Sequence, residues 1–378
     1  MIRLRVGFLR AGGGPRTVAQ PGLESTLMTF LSQTSRGRRP TSQRPQSSPI
    51  DAVDCLIGST PMLEIRYRLD DQPRRIYAKY ELENMTGSLK DRMAAHIMRR
   101  AYESGELRRG FTIVEASSGN TGISFAALGR ALGHPVRIYM PDWMSQERVH
   151  LMGNFGAEVI PVSRQKSGFI GAIEMAEAFR QRHEEVFLPR QFDNPANIEA
   201  HEVTTGPEIE KQLASFGRQV DAFVAGVGTG GTVMGVGRYL RRTGRSVRIH
   251  PLEPANSPTL RSGYQVGCHR IQGISDEFVP SIIDLDELDH IVDAWDGDAI
   301  LMAQALSRTA GLAVGISSGA NVLGAMQLVE ELGPEATVAT VLPDSNKKYL
   351  STDLCHEEPI REEYLTPRVK LERFTAVR

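Results

Sequence analysis

From about residue 50 onward, short β-branched runs alternate with stretches of helical period, and this alternation restricts the chain to few architectures. "RIYAKY", "FTIVEA", "VRIYMP", "AEVIPV", "DAFVAGV", "VRIHPLEP", "HIVDAW" and "ATVATVLPD" are separated by segments such as "DRMAAHIMRRAYESG" and "GAIEMAEAFRQRHEE". A strand period that repeatedly gives way to a helical one predicts an α/β protein with mostly parallel sheets. In such sheets ligands bind where the carboxyl ends of strands meet glycine-rich turns and helix N-termini, so the strand-to-helix turns are the places to look for chemistry. No repeat of roughly 20 to 50 residues suggests a solenoid or propeller.

Size and charge narrow the function. A chain of 378 residues exceeds the usual single-core size, which favours two lobes. Forty-four basic against forty-five acidic residues leave a net charge of −1, giving no global field for nucleic acid or an anionic membrane. Cys55, Cys268 and Cys355 lie far apart without metal-ligand spacing, so neither a zinc site nor a disulfide framework is expected, and a reducing, cytoplasmic setting fits. No apolar run reaches the roughly 18 residues of a membrane-spanning helix. Residues 1–49 contain one acid, Glu24, and the tract "SQTSRGRRPTSQRPQSSP"; they read as a disordered arm with some transit-peptide character.

Three turns stand out. "VEASSGNTGISFAALGRALG" places Ser117, Ser118, Gly119, Asn120, Thr121 and Gly122 between a strand and a helix start, where backbone N–H groups and hydroxyls suit a carboxylate or phosphate. An ordinary N-cap needs fewer such residues. "DAFVAGVGTGGTVMGVGRYLRR" spells Gly226-x-Gly228-x-x-Gly231, which formally fits a dinucleotide fingerprint with Glu253 as the ribose-binding acid; Thr229 and Thr232 suit a phosphate monoester equally well. "LAVGISSGANVLGAMQLVEELG" contains Gly315-x-Ser317-x-Gly319, a nucleophile-elbow pattern followed by Asp344 and His356 in hydrolase order, without the oxyanion segment a hydrolase needs.

The fourth element is Lys90 in "ELENMTGSLKDRMA". A lysine at a helix start is ordinarily a solvated charge. Desolvated beside a positive helix end, it would have a lowered pKa and more free amine, the condition for imine formation with an aldehyde. A phosphate cradle, a carboxylate turn, a polar serine turn and one such lysine together suggest a phosphorylated aldehyde, pyridoxal 5′-phosphate, acting on an amino acid.

With "IGSTPM", "NMTGSLKDRMA", "SSGNTG", "QFDNPANIEAHEVTTGPEI", "GVGTGGT", "GISSGA" and "LPDSNKKYLS" in that order, the chain resembles the fold-type II pyridoxal-phosphate enzymes of the cysteine synthase (O-acetylserine sulfhydrylase) and cystathionine β-synthase family. The resemblance implies two three-layer α/β/α lobes, one from residues 50–84 and 194–355 carrying the phosphate cradle, and a smaller mobile one from 85–193, with 356–378 as a tail. It implies that Lys90 binds the cofactor covalently and moves the Cα proton, and that Asn120 bonds the ring hydroxyl. Gly228, Thr229, Gly230, Gly231 and Thr232 would cradle the phosphate, and Ser317 would face the ring nitrogen. Ser117, Ser118, Thr121 and Gln191 would hold the substrate carboxylate.

The implied reaction is β-replacement of O-acetyl-L-serine by sulfide, with cystathionine synthesis and cysteine desulfhydration as the neighbouring activities. A homodimer and an association with serine acetyltransferase are also implied. Haem is not expected, since Cys55 is the sole early thiol and no histidine precedes His96. The chain departs from the family at "GISDEFVP", which brings in Asp276 and Glu277, and at Asn346 and Lys347. The first departure borders the site and bears on the choice of donor and acceptor.

Overall fold

The computed structural model describes residues 48–378; the expected arm, residues 1–49, lies almost wholly outside them. The chain enters through β1 (Met62–Leu69) and β2 (Gln72–Tyr80), then α1 (Lys90–Ser104), β3 (Thr112–Ala116), α2 (Asn120–Leu132), β4 (Val136–Pro141), α3 (Gln146–Asn154), β5 (Glu158–Val162), α4 (Gly168–Arg182) and β6 (Val186–Phe187). It continues through α5 (Pro195–Ala200), α6 (Gly206–Ser215), β7 (Ala222–Gly226), α7 (Gly231–Arg242), β8 (Arg248–Pro254), α8 (Thr259–Ser262), β9 (Val292–Ala294), α9 (Asp296–Ala310), α10 (Ile316–Leu332), β10 (Val338–Leu342) and β11 (Val369–Val377).

These strands form a seven-stranded sheet in the order β11-β1-β2-β10-β7-β8-β9 and a four-stranded sheet in the order β5-β4-β3-β6. The small sheet is parallel throughout, as is the large one from β2 to β9; β1 runs antiparallel to both β2 and β11. All five residues of β10 are buried, as expected of a parallel strand covered on both faces. One face of the large sheet packs on α9 and α10, the other on α6 and α7. The small sheet is covered by α1 and α2 on one face and α4 on the other. The two sheets thus build the three-layer α/β/α arrangement anticipated from the sequence.

One expectation is corrected. Residues 356–378 are not simply a tail: β11 pairs with β1 along its whole length, Met62 facing Val377 and Leu69 facing Val369, and closes one edge of the large sheet. Leu371 is the buried residue of this strand and its neighbours are largely exposed, so an edge strand wet on both faces carries no hydrophobic alternation to betray it.

A buried charge network fixes α1 against the large sheet. Arg92 bonds both oxygens of Glu81 and both oxygens of Glu208, while Lys79 Nζ lies 2.6 Å from Glu208 and donates to Thr60. Burial alone would raise the Glu81 pKa, yet the Arg92 guanidinium holds it down at about 2. Because Arg92 lies two residues beyond Lys90, these bonds set the position of the helix that carries Lys90.

Candidate active site

The start of α1 is tied to the carboxyl end of β10, since Leu89 N–H donates to Pro343 O at 2.8 Å and Ser88 bridges to Asp344. Lys90 therefore sits at the carboxyl end of the large sheet, beside the turn after β7. The turn after β3 closes the space from the small sheet. The resulting cavity holds about 750 Å³ of empty space, part of it open to solvent. Its walls include Lys90, Ser117, Ser118, Asn120, Thr121, Gln191, Gly228, Thr229, Thr232 and Ser317.

Gly230 and Gly231 are not part of that lining. They pack outward: a Cβ on Gly230 would lie 2.2 Å from Ile283, and one on Gly231 would lie 2.0 Å from Asn197 Oδ1. Gly230 also has a φ of +87°, which favours glycine, and it leads directly into the first turn of α7. The two glycines thus shape the turn from behind, while Gly228, Thr229 and Thr232 face the cavity. Asn197 steadies the turn by donating to Thr229 Oγ1 at 2.9 Å and to Gln191 O at 2.8 Å.

The turn after β3 is folded around its own first side chain. Ser117 Oγ accepts from the N–H groups of Gly119 and Gly122, so both its acceptor positions serve the turn and only its O–H remains to donate. Thr121 Oγ1 donates to Gln191 Oε1 at 2.6 Å, and Gln191 Nε2 donates to Ala116 O. The backbone N–H groups of Ser118, Asn120 and Thr121 take no partner among the described residues, leaving three donors at the N-terminus of α2 for an anion. Beneath them, burial pushes the Glu115 carboxyl up to about 8 although it accepts from the N–H groups of Ala116 and Gln191.

Asn120 is oriented by two opposite partners. Lys348 Nζ donates to its Oδ1 at 2.8 Å, and its Nδ2 donates to Asp344 Oδ2 at 2.7 Å, an arrangement that leaves the second Nδ2 hydrogen free. Burial lowers the Lys90 pKa, with Asp276 and Asp344 opposing the effect; burial raises Asp276 to about 6, with Lys90 opposing. Asp276 therefore lines the cavity beside Lys90, whereas Glu277 turns to the N–H of Phe169.

Two sequence alternatives do not survive this geometry. Glu253 is fully buried in β8 and bonds Leu260 N–H, away from the cavity, so the ribose-acid reading fails. His356 is exposed and pairs with Asp353, while Asp344 is engaged by Asn120 and Tyr349, so Ser317, Asp344 and His356 form no triad. Arg148, Gln272, Asn321 and Asp344 are site residues that sequence reasoning did not assign to this cavity or its wall; Arg148 and Gln272 come from segments without a local motif, while Asn321 and Asp344 lie within quoted stretches but were given no role at this cavity. Asn321 ties the turns together, accepting from Gly226 N–H and donating to Val341 O, each at 2.8 Å.

The residues fit a phosphorylated cofactor. A Cβ on Gly228 would lie 2.4 Å from Gly273 O, so that turn is closed to any side chain and presents backbone to the cavity. The family described as pyridoxal-phosphate dependent enzyme matches residues 53–344, and the chain belongs to it. It is 41% identical to a cysteine synthase of Staphylococcus aureus (strain N315) over 306 residues, 81% of this chain and 97% of that one. It is 38% identical to a probable cysteine synthase of Bacillus subtilis (strain 168), covering 79% and 96%. Among solved structures, a hydrogen sulfide-producing enzyme from Fusobacterium nucleatum is 51% identical with a TM-score of 0.85, covering 87% of this chain and 98% of that one. A cysteine synthase from Entamoeba histolytica is 33% identical with a TM-score of 0.75, covering 89% and 97%.

Proposed function

We propose that this protein joins O-acetyl-L-serine and sulfide into L-cysteine, releasing acetate. The observation that carries this reading is the placement of the Lys90 amine, its pKa lowered, in one cavity with an anion-binding turn after β3 and the glycine-threonine turn at the N-terminus of α7. Similarity to two curated cysteine synthases supports the choice of substrates.

When bound, pyridoxal phosphate supplies an aldehyde carbon for imine formation and an electron-withdrawing ring that acidifies the substrate Cα–H. Lys90 Nζ would hold the cofactor until the substrate amine displaces it; once freed it would take the Cα proton as general base, acetate would leave from Cβ, and Lys90 would return a proton to Cα after sulfide has added at Cβ. Burial, which lowers its pKa, favours the neutral amine that both tasks need. Gly228, Thr229 and Thr232, backed by Gly230 and Gly231, hold the phosphate. Asn120 offers its free Nδ2 hydrogen to the ring hydroxyl. Ser117 shapes the carboxylate subsite, where Ser118, Thr121 and Gln191 orient the amino acid. Ser317, which lines the cavity, would offer the ring nitrogen a neutral hydroxyl partner; such a partner would disfavour a protonated ring and suit prompt loss of the Cβ substituent.

Similarity to the hydrogen sulfide-producing enzyme of Fusobacterium nucleatum favours a second reading, sulfide release from L-cysteine. One experiment ranks them: purified holoprotein receives either O-acetyl-L-serine with sulfide or L-cysteine alone. Faster cysteine formation supports the first reading; faster sulfide release replaces it with the second. We infer further, on family resemblance, that residues 85–193 move as a smaller lobe and that the protein is a homodimer; the exposed, unpaired Cys55, Cys268 and Cys355 fit a reducing, cytoplasmic setting. Serine acetyltransferase is its proposed partner, on family resemblance.

A further inference from the structure

Arg148, on α3, is 2% exposed and lines the cavity, yet it makes no ion pair among the described residues. Its Nη1 donates to Ser145 Oγ at 3.2 Å and to Gln272 Oε1, and its guanidinium stacks 4.5 Å above the Tyr349 ring. Its Nε is buried without any hydrogen-bond partner. The adjacent acid does not serve it, because Glu147 is turned to the backbone and hydroxyl of Ser351. A buried guanidinium with an orphaned donor and no carboxylate is costly unless something anionic completes it.

The side chain lies directly against the turn after β3: a Cβ on Gly119 would fall 2.3 Å from Arg148 Nε. Contact this close requires glycine at 119 and brings the positive charge behind the free N–H groups of Ser118, Asn120 and Thr121. Those groups are dipoles and carry no net charge of their own. Asp276, the carboxylate lining the same cavity, acts on Lys90, and it forms no ion pair with Arg148 among the described residues.

We propose that Arg148 is the counter-charge of the carboxylate subsite, supplying the net positive charge that lets this turn prefer an amino-acid carboxylate over a neutral group of the same shape. The proposal rests on the reading of the turn as the carboxylate subsite. Its test compares binding of L-alanine, which has no leaving group, with binding of L-alaninamide, which lacks the carboxylate. Dissociation constants are read by calorimetry on the holoprotein at fixed ionic strength.

The native protein should bind L-alanine more tightly than the amide. Arg148→Gln should weaken L-alanine by about tenfold or more, the loss expected for one charge-assisted interaction, and leave the amide nearly unchanged. Arg148→Lys, which keeps the charge, should retain most of the preference; it also serves as the readout if Arg148→Gln fails to fold, when loss of the preference would overturn the proposal. Equal weakening of both ligands in Arg148→Gln assigns Arg148 a packing role only and overturns the proposal. If the native protein itself does not distinguish acid from amide, the reading of the turn fails first, and the proposal falls with it.

Discussion

Lys79, Lys90 and Lys348 are all pushed below the ordinary lysine range by burial, but their surroundings assign them different work. Lys79 is paired with Glu208 and Lys348 with Asn120, so neither amine is free to react; Lys90 lines the cavity. Arg92 is the residue on which this placement leans most. Arg92→Met would leave the fully buried Glu81 without its partner, and chemical denaturation should report a loss of roughly 3–5 kcal/mol; a loss below about 1 kcal/mol would mean the network does not hold α1 in place. Glu115 gives a pH prediction. Its folded pKa of about 8 lies above the ordinary carboxylate value, so the folded state binds more protons between about 4.5 and 8, and stability present at low pH is lost as pH rises through that window. The stability of Glu115→Gln relative to the native protein should therefore climb from pH 4.5 to 8 and level off above, as read by thermal melts across pH; a flat difference would contradict the burial argument.

At the scale of elements, the turns of the site were legible because their function is written locally: a strand end, a cluster of glycine and hydroxyl residues, and a helix start occupy consecutive positions. Gly228 is such a case. Its absent side chain lets the turn pass against Gly273 O, and Gly228→Ala should weaken cofactor retention by about tenfold or more, measured by equilibrium dialysis against free pyridoxal phosphate. Unchanged retention would remove this turn from the phosphate site. The edge strands were less legible. In β1, Leu63, Ile65, Tyr67 and Leu69 alternate with Glu64, Arg66 and Arg68, so the strand period was available but unread; β11 has one buried residue and no pattern at all. Its contribution is backbone pairing, and truncation after residue 367 should expose the edge of β1 and lower the melting temperature by roughly 1.5–3 °C, the shift expected of a loss near 1 to 2 kcal/mol in a chain of this length. An unchanged melting temperature would show that β11 adds nothing to the sheet.

At the scale of the molecule, what the sequence could not reveal was convergence. Arg148 comes from α3, Gln272 from a loop after α8, and Asp344 and Lys348 from the segment after β10; only the packing of two sheets with their carboxyl ends facing one cavity brings them to Asn120 and to the turn after β3. The acids of "GISDEFVP" illustrate the same limit, since adjacent side chains diverge, Asp276 into the cavity and Glu277 toward α4. The account depends on a covalent bond between the Lys90 amine and pyridoxal phosphate, and borohydride reduction of the holoprotein followed by intact-mass and peptide analysis tests it most directly. One reduced cofactor per chain, on the peptide containing Lys90, is the predicted result; no adduct, or an adduct on Lys79 or Lys348, would contradict it.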